Sequence, residues 1–209
     1  MNRTSELYLA IVVAIALLGA YHATLGLQGA VAMVRFLALT AFVLLCAALI
    51  IGPLAVLWPA QFAVLIEPRR AVGVSAFVFM LLHYLLVISL YFKFNFAMVL
   101  NNFPLAIQIP SMVIFLAMAL TSTNWAVKTL GVAKWKTLHR FVYLGFALTL
   151  AHFLLKSNGL PFISQKAAGL NYAEVAVLLL GLATIGLQVA GFLAKSKRNA
   201  EAAKQQPAA

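Results

Sequence analysis

The sequence predicts an all-α, polytopic membrane protein built as a bundle of six transmembrane helices. Of its 209 residues, 65% are hydrophobic and 9% are charged, and the mean hydropathy is +1.02. A soluble domain is about 45–50% apolar and about 25% charged, so most of these apolar residues must face lipid. This composition excludes a water-soluble enzyme and a disordered regulator. A single cysteine, Cys46, excludes an internal disulfide scaffold.

Six apolar stretches have about the length that spans a bilayer, roughly 20 residues. They cover roughly residues 7–25, 32–52, 71–92, 104–123, 137–156 and 172–194. Their length, and the absence of period-2 alternation, disfavour transmembrane strands. We therefore expect one six-helix domain over residues 1–194, followed by a flexible cytoplasmic tail over 195–209.

The positive charges predict the orientation of the helices. The net charge is +11, and with six spans 11 of the 15 Lys and Arg residues fall on one side. Lys93, Lys156, Lys166 and Arg35 fall on the other side. The bias places both termini in the cytoplasm and indicates contact with membrane lipid rather than with nucleic acid. If the first stretch were instead a cleaved signal peptide, five spans would remain; its length and the early Glu6 favour a retained helix.

Four histidines lie in or at the ends of the predicted spans: His22, His83, His139 and His152. Ionisable residues inside a membrane are costly, and each is a functional hypothesis by default. No acidic residue lies in the middle of a span, which disfavours a proton-coupled transporter. Ligation of a metal or a haem is the simplest use of neutral imidazoles.

The depths of three histidines suggest a haem site. His83 and His152 lie about 18 Å and about 22 Å from the cytoplasmic ends of their helices, so they could reach opposite faces of one porphyrin. His139 lies about 20 Å nearer the cytoplasm, where a second haem would complete a two-step path. Arg69 falls near that height, and a guanidinium is a poor iron ligand that could pair with a haem propionate.

A simpler interpretation stays open for each histidine. An imidazole in a helical bundle often only hydrogen-bonds a neighbouring hydroxyl or carbonyl, and for His22 this interpretation is favoured. His139 could be a cytoplasmic surface residue. On an ideal helix it also lies about 140° from His152, so spacing alone does not establish two stacked haems.

Two stretches carry a resemblance to a known family. The first stretch is RRAVG at 69–73, followed by Phe77 and by Leu82-His83. The second stretch begins with ALTST at 119–123 and ends at His152. Between them it contains Trp125, Leu130-Gly131, Trp135-Lys136, Leu138-His139-Arg140 and VYL at 142–144. This pattern resembles the ferric-reductase-like transmembrane domain, in particular its bacterial MsrQ (YedZ) branch, the haem-containing membrane subunit of a methionine sulfoxide reductase system. The resemblance is clearest over 50–156.

The resemblance implies b-type haem, one or two, with His83, His139 and His152 as ligand positions. His83 and His152 would hold the outer haem, and His139 would serve an inner one. NADPH-oxidase relatives have a second histidine where this sequence has Arg69. FMN is implied as a further cofactor by the resemblance alone.

The resemblance also implies a function in electron transfer across the bacterial inner membrane. Electrons would come from a cytosolic flavin reductase or a membrane quinol and pass to a periplasmic MsrP-like molybdoenzyme. About 15 residues follow the last span, with no Gly-rich phosphate loop, so we expect an electron-transfer subunit rather than a self-sufficient enzyme. Two alternatives stay open: direct reduction of ferric iron or dioxygen at the outer face, and a transporter or assembly protein whose histidines only pack.

Overall fold

The computed structural model describes residues 3–24, 29–156 and 172–205, and these are almost entirely helical. The helices are α1 (Arg3–Thr24), α2 (Gly29–Leu57), α3 (Pro59–Phe62), α4 (Arg69–Phe92), α5 (Phe96–Asn101), α6 (Phe103–Leu120), α7 (Asn124–Leu130), α8 (Val132–Arg140), α9 (Val142–Lys156) and α10 (Tyr172–Gln205). Within the described ranges six segments are long and apolar enough to cross a membrane: α1, α2, α4, α6, α8 with α9, and α10. The predicted six-helix fold is confirmed.

Helix α2 is the centre of the bundle. Apart from Arg35 and Thr40 its residues are apolar on every side, and Leu44, Cys46 and Leu49 are almost fully buried. Helices α1, α4 and α10 pack against α2, and α6 packs along α9. A helix that is apolar all round is suited to this central position.

Short helices join the long ones where the sequence has capping residues. The side chains of Asn95, Asn102 and Thr123 each accept a hydrogen bond from a backbone N–H in the first turn of α5, α6 and α7 respectively. Such caps satisfy N–H groups that the helix leaves without partners. The cap at Asn102 fixes the start of α6, which is part of the site described below.

Polar contacts define the two ends of the bundle. Thr4 donates to Glu67 over 2.5 Å, and Arg70 donates to Asn124 over 3.0 Å, so the starts of α1, α4 and α7 lie together. We call this the inner end, following the predicted orientation, and the opposite end, where α2 begins and α4 ends, the outer end. The orientation relative to a membrane stays a prediction.

Three boundaries differ from the predicted spans. Helix α2 continues through Pro53 to Leu57, the fifth span is interrupted at Phe141 between α8 and α9, and α10 extends to Gln205. Residues 195–205 are therefore helical, although polar, because the helix that precedes them continues without a break. The predicted tail boundary itself stays untested. The side chains of His22 and Lys156, and residues 157–171 with Lys166, lie outside the described part of the chain.

Candidate functional site

A cavity of about 440 Å³ lies between α2, α4, α6 and α9, in the half of the bundle nearer the outer end. Two of the predicted site residues, His83 on α4 and His152 on α9, both line it. Its volume is typical of pockets for small molecules and cofactors. Most of the remaining wall is apolar, including Phe42, Met112 and Phe153.

The ring of His83 is held by the backbone of α2. Its Nδ1 donates to the carbonyl oxygen of Val34 over 3.0 Å. Because a carbonyl can only accept, the proton of the neutral imidazole lies on Nδ1 and the lone pair lies on Nε2. The α2 backbone thus fixes both the orientation and the tautomer of this ring.

The ring of His152 is held in the same way by α6. Its Nδ1 donates to the carbonyl oxygen of Pro104 over 2.6 Å, which again leaves the lone pair on Nε2. Metal-binding histidines typically donate their other ring N–H to a carbonyl or carboxylate, which fixes the tautomer and raises the basicity of the ligand nitrogen.

Gln108 presents an unsatisfied acceptor at the same cavity. Its side chain is 6% exposed, and its Nε2 lies 3.5 Å from both Thr149 Oγ1 and Met80 Sδ. Its Oε1 has no hydrogen-bond partner among the described residues. A buried acceptor left unpaired costs about 1–3 kcal/mol, which indicates that the cavity receives an occupant or ordered water.

The donor set of the cavity fits a haem better than a bare metal ion. In the described ranges no group of three or more His, Cys, Asp or Glu side chains could hold a metal by itself. The imidazoles of His83 and His152 would be enough to hold a haem. The apolar wall suits the faces of a macrocycle, so the residues present fit this group.

His139 lies apart from the cavity, at the inner end. Its Nε2 is 3.3 Å from the hydroxyl oxygen of Thr121, and the Trp135 ring stacks on its imidazole at 4.0 Å between centroids. The Thr121 hydroxyl donates its one proton to Ala117 O over 2.7 Å, so His139 Nε2–H is the donor in the contact with Thr121. The nitrogen that carries the lone pair at His83 and His152 therefore carries the proton here.

The two neighbouring arginines also lie at the inner end. Arg69 Nε donates to Ala48 O over 2.7 Å, and its guanidinium lies over Gly52, where an added Cβ would be 3.1 Å from Arg69 Nη1. Arg70 donates to Asn124 and lies 4.9 Å above the Trp135 ring. Arg69 thus packs closely on α2 at Gly52.

Four groups of the site were not predicted from the sequence: the carbonyls of Val34 and Pro104, the Gln108 amide, and Arg35, which also lines the cavity. The carbonyls carry no sequence signal. A polar residue within an apolar helix was the available signal for Gln108 and for Arg35.

The central part of the chain resembles a known protein family. The family model described as "Ferric reductase like transmembrane component" matches residues 32–150, a range that includes His83 and His139 and ends before His152. Proteins of Brucella ovis, Brucella canis and Brucella abortus, each named "Protein-methionine-sulfoxide reductase heme-binding subunit MsrQ", are 30% identical over 120 residues.

Those alignments cover 56% of this chain and 52% of each relative, so the chain spans about half the length of the curated relatives it matches. No solved structure matches. Because the family model covers more than half of the residues, the chain belongs to the ferric-reductase-like transmembrane family, the family of the MsrQ subunits.

Proposed function

We propose that this protein is a haem-binding membrane subunit that carries electrons across the bacterial inner membrane. In this proposal His83 and His152 would together hold one b-type haem. A single observation carries it: both imidazoles line one cavity, and each donates from Nδ1 to a backbone carbonyl, so that each lone pair is on Nε2. The named relatives are haem-binding subunits, which supports the same cofactor.

The protein chain holds the two histidine rings in position and excludes water from the cavity. Val34 O and Pro104 O keep the rings of His83 and His152 from rotating, so little rearrangement accompanies a change of charge in the cavity. Apolar side chains such as Phe42 and Phe153 keep the site dry. A bound haem supplies one-electron ferric–ferrous chemistry.

Two histidine ligands also favour electron transfer over direct reduction of dioxygen. If the imidazoles from α4 and α9 both held the haem, they would leave its iron no free position for a substrate. We propose that the acceptor is a periplasmic MsrP-like molybdoenzyme, since the relatives' name refers to a methionine sulfoxide reductase system. The donor is a cytosolic flavin reductase or a membrane quinol, and FMN remains an implication of family resemblance.

A second haem with His139 as ligand stays a prediction. Its Nε2 donates to Thr121 and its ring stacks on Trp135, so ligation through Nε2 would require the Thr121 contact to break. Arg69, near the same level, donates to Ala48 O and could additionally pair with a propionate.

The proposed function is tested by following electrons out of the haem-loaded protein. The full chain is placed in lipid nanodiscs, its haem is reduced without oxygen, and a purified periplasmic methionine sulfoxide reductase is added with methionine sulfoxide. We expect the reduced haem band to decay only when both are present. Decay with ferric citrate or dioxygen alone, at the same rate, would favour the direct reductase. A protein that takes up no haem would favour the transporter or assembly role.

A further inference from the structure

A second cavity, of about 930 Å³, lies at the inner end of the bundle. Its wall comes from α1, from the segment before α4, from the first turns of α4 and from the junction of α6 with α7. None of its lining residues belongs to the cavity of His83 and His152. The wall contains one carboxylate, Glu67, and one guanidinium, Arg70. A cavity that presents one charge of each sign is suited to a ligand that also carries both charges.

Hydrogen bonds tie these two charges to different walls of the cavity. Thr4 of α1 donates to Glu67 Oε2, whereas Arg70 Nη1 donates to Asn124 of α7. Although they lie three positions apart in the sequence, Glu67 and Arg70 form no ion pair with each other in the described ranges. Each contact uses only one carboxylate oxygen or one N–H. The carboxylate therefore keeps a second oxygen for a ligand, and the guanidinium keeps further N–H groups.

The position of the cavity matches the headgroup region of a lipid bilayer. The candidate membrane span in α4 begins at Arg69, so Glu67 and Arg70 flank the point where the chain enters the apolar layer. Between these charges and the bundle the wall is apolar, with Ala63, Ile66, Ala71 and Val74. A phospholipid brings charges and apolar chains to such a site together, whereas a water-soluble ligand would leave the apolar wall unused.

We propose that this cavity binds the headgroup of a zwitterionic phospholipid that carries a primary ammonium, as phosphatidylethanolamine does. Glu67 accepts hydrogen bonds from the ammonium, and Arg70 donates to the phosphate. An anionic headgroup without an amine offers Glu67 no cation. A trimethylated ammonium, as in phosphatidylcholine, has no N–H to donate to the carboxylate. This proposal goes beyond the proposed function and does not depend on a haem.

The two side chains have separate roles in this proposal, and variants can separate them. Glu67 selects the ammonium, so Glu67→Gln should abolish the preference for phosphatidylethanolamine over phosphatidylcholine. Arg70 binds the phosphate that both lipids share, so Arg70→Gln should weaken the binding of both and keep most of the preference. A groove that only accommodates acyl chains would show neither pattern.

The experiment titrates the delipidated full chain, in detergent micelles, with phosphatidylethanolamine, phosphatidylcholine and phosphatidylglycerol of identical acyl chains. Native mass spectrometry gives the Kd for the first lipid bound. We expect the wild type to bind phosphatidylethanolamine about tenfold or more tightly than either other lipid. Glu201→Gln and Lys128→Gln are the matched controls, because each removes an exposed charge that lies outside the wall of this cavity. Both should keep the wild-type preference.

Equal affinity of the wild type for phosphatidylethanolamine and phosphatidylcholine would overturn the proposal, and this arm needs no variant. Tightest binding of phosphatidylglycerol would also overturn it, as would an unchanged preference in Glu67→Gln or an equal loss in the two controls. Glycerophosphoethanolamine, the same headgroup without acyl chains, should not displace the lipid at equal concentration. If it did, the cavity would be a site for a water-soluble ligand. A chain that took up no haem would leave these lipid ratios unchanged, so the two proposals fail independently.

Discussion

The outer cavity and the inner end use histidine in opposite ways. At the cavity, His83 and His152 donate from Nδ1 to backbone carbonyls, so the lone pair of each ring lies on Nε2. At the inner end, His139 donates from Nε2 to Thr121 and is covered on one face by Trp135. The same helix, α6, provides the partner of His152 at its start and that of His139 at its end.

The arginines show the same contrast. Arg35 lines the outer cavity, whereas Arg69 donates to Ala48 O and lies against Gly52. Depth along a helix therefore does not decide which polar residue can serve a cofactor. The hydrogen-bond partner of the side chain, and the space in front of it, decide this.

Removing a cavity histidine should have the largest effect. Because His83→Ala or His152→Ala would remove one of the two proposed haem ligands, we expect haem bound per protein to fall by about tenfold or more. The measurement is the ratio of pyridine haemochrome absorbance to protein, after purification of the full chain. A ratio that stays at the wild-type value in both variants would show that these rings are not the ligands.

His139→Ala makes the matched change at the inner end. Since His139 lies apart from the cavity, the low-spin spectrum of the outer haem should persist at full intensity per bound haem. The haem-to-protein ratio of this variant then shows how many haem sites depend on His139. An unchanged ratio would mean that His139 is not a ligand, and a ratio that falls by half would establish the predicted inner haem.

A smaller effect is expected from the cap of α6. Asn102→Ala removes the acceptor for Leu105 N–H, which lies 3.3 Å from Asn102 Oδ1, and loosens the turn that holds His152 through Pro104 O. An N-cap is worth about 1 kcal/mol, so we expect haem affinity to weaken a few-fold. Asn95→Ala, which removes the equivalent cap of α5, should leave haem affinity unchanged. Equal weakening in both would indicate a general loss of stability.

The smallest effect concerns the unpaired oxygen of Gln108. In the haem-free protein, Gln108→Leu removes a buried acceptor that lacks a partner among the described residues, and we expect stabilisation by about 1 kcal/mol. Ser111→Ala should have the opposite sign, because the Ser111 hydroxyl lies 2.9 Å from both Gly145 O and Thr149 Oγ1. Thermal unfolding of the haem-free variants in detergent measures both. Destabilisation by Gln108→Leu would show that its amide is satisfied without an occupant.

The sequence predicted the long helices well because the length of an apolar run is a strong signal in a membrane protein. It did not predict the break at Phe141 or the short helices α3, α5, α7 and α8, since these depend on local capping and on the ends of neighbouring helices. The estimated depths of His83 and His152 along their helices correctly predicted that both lie at about the same level of the bundle. It could not show that Val34 O and Pro104 O hold them, because the rotation of α2 and α6 about their axes is set by packing.

The most direct test of the account is the low-temperature electron paramagnetic resonance spectrum of the haem-loaded ferric protein. If His83 and His152 hold one iron together, the wild type and His139→Ala share a low-spin bis-imidazole signal. His83→Met and His152→Met should each replace that signal with a different one. A high-spin wild type, or a bis-imidazole signal that survives both substitutions, would contradict the account.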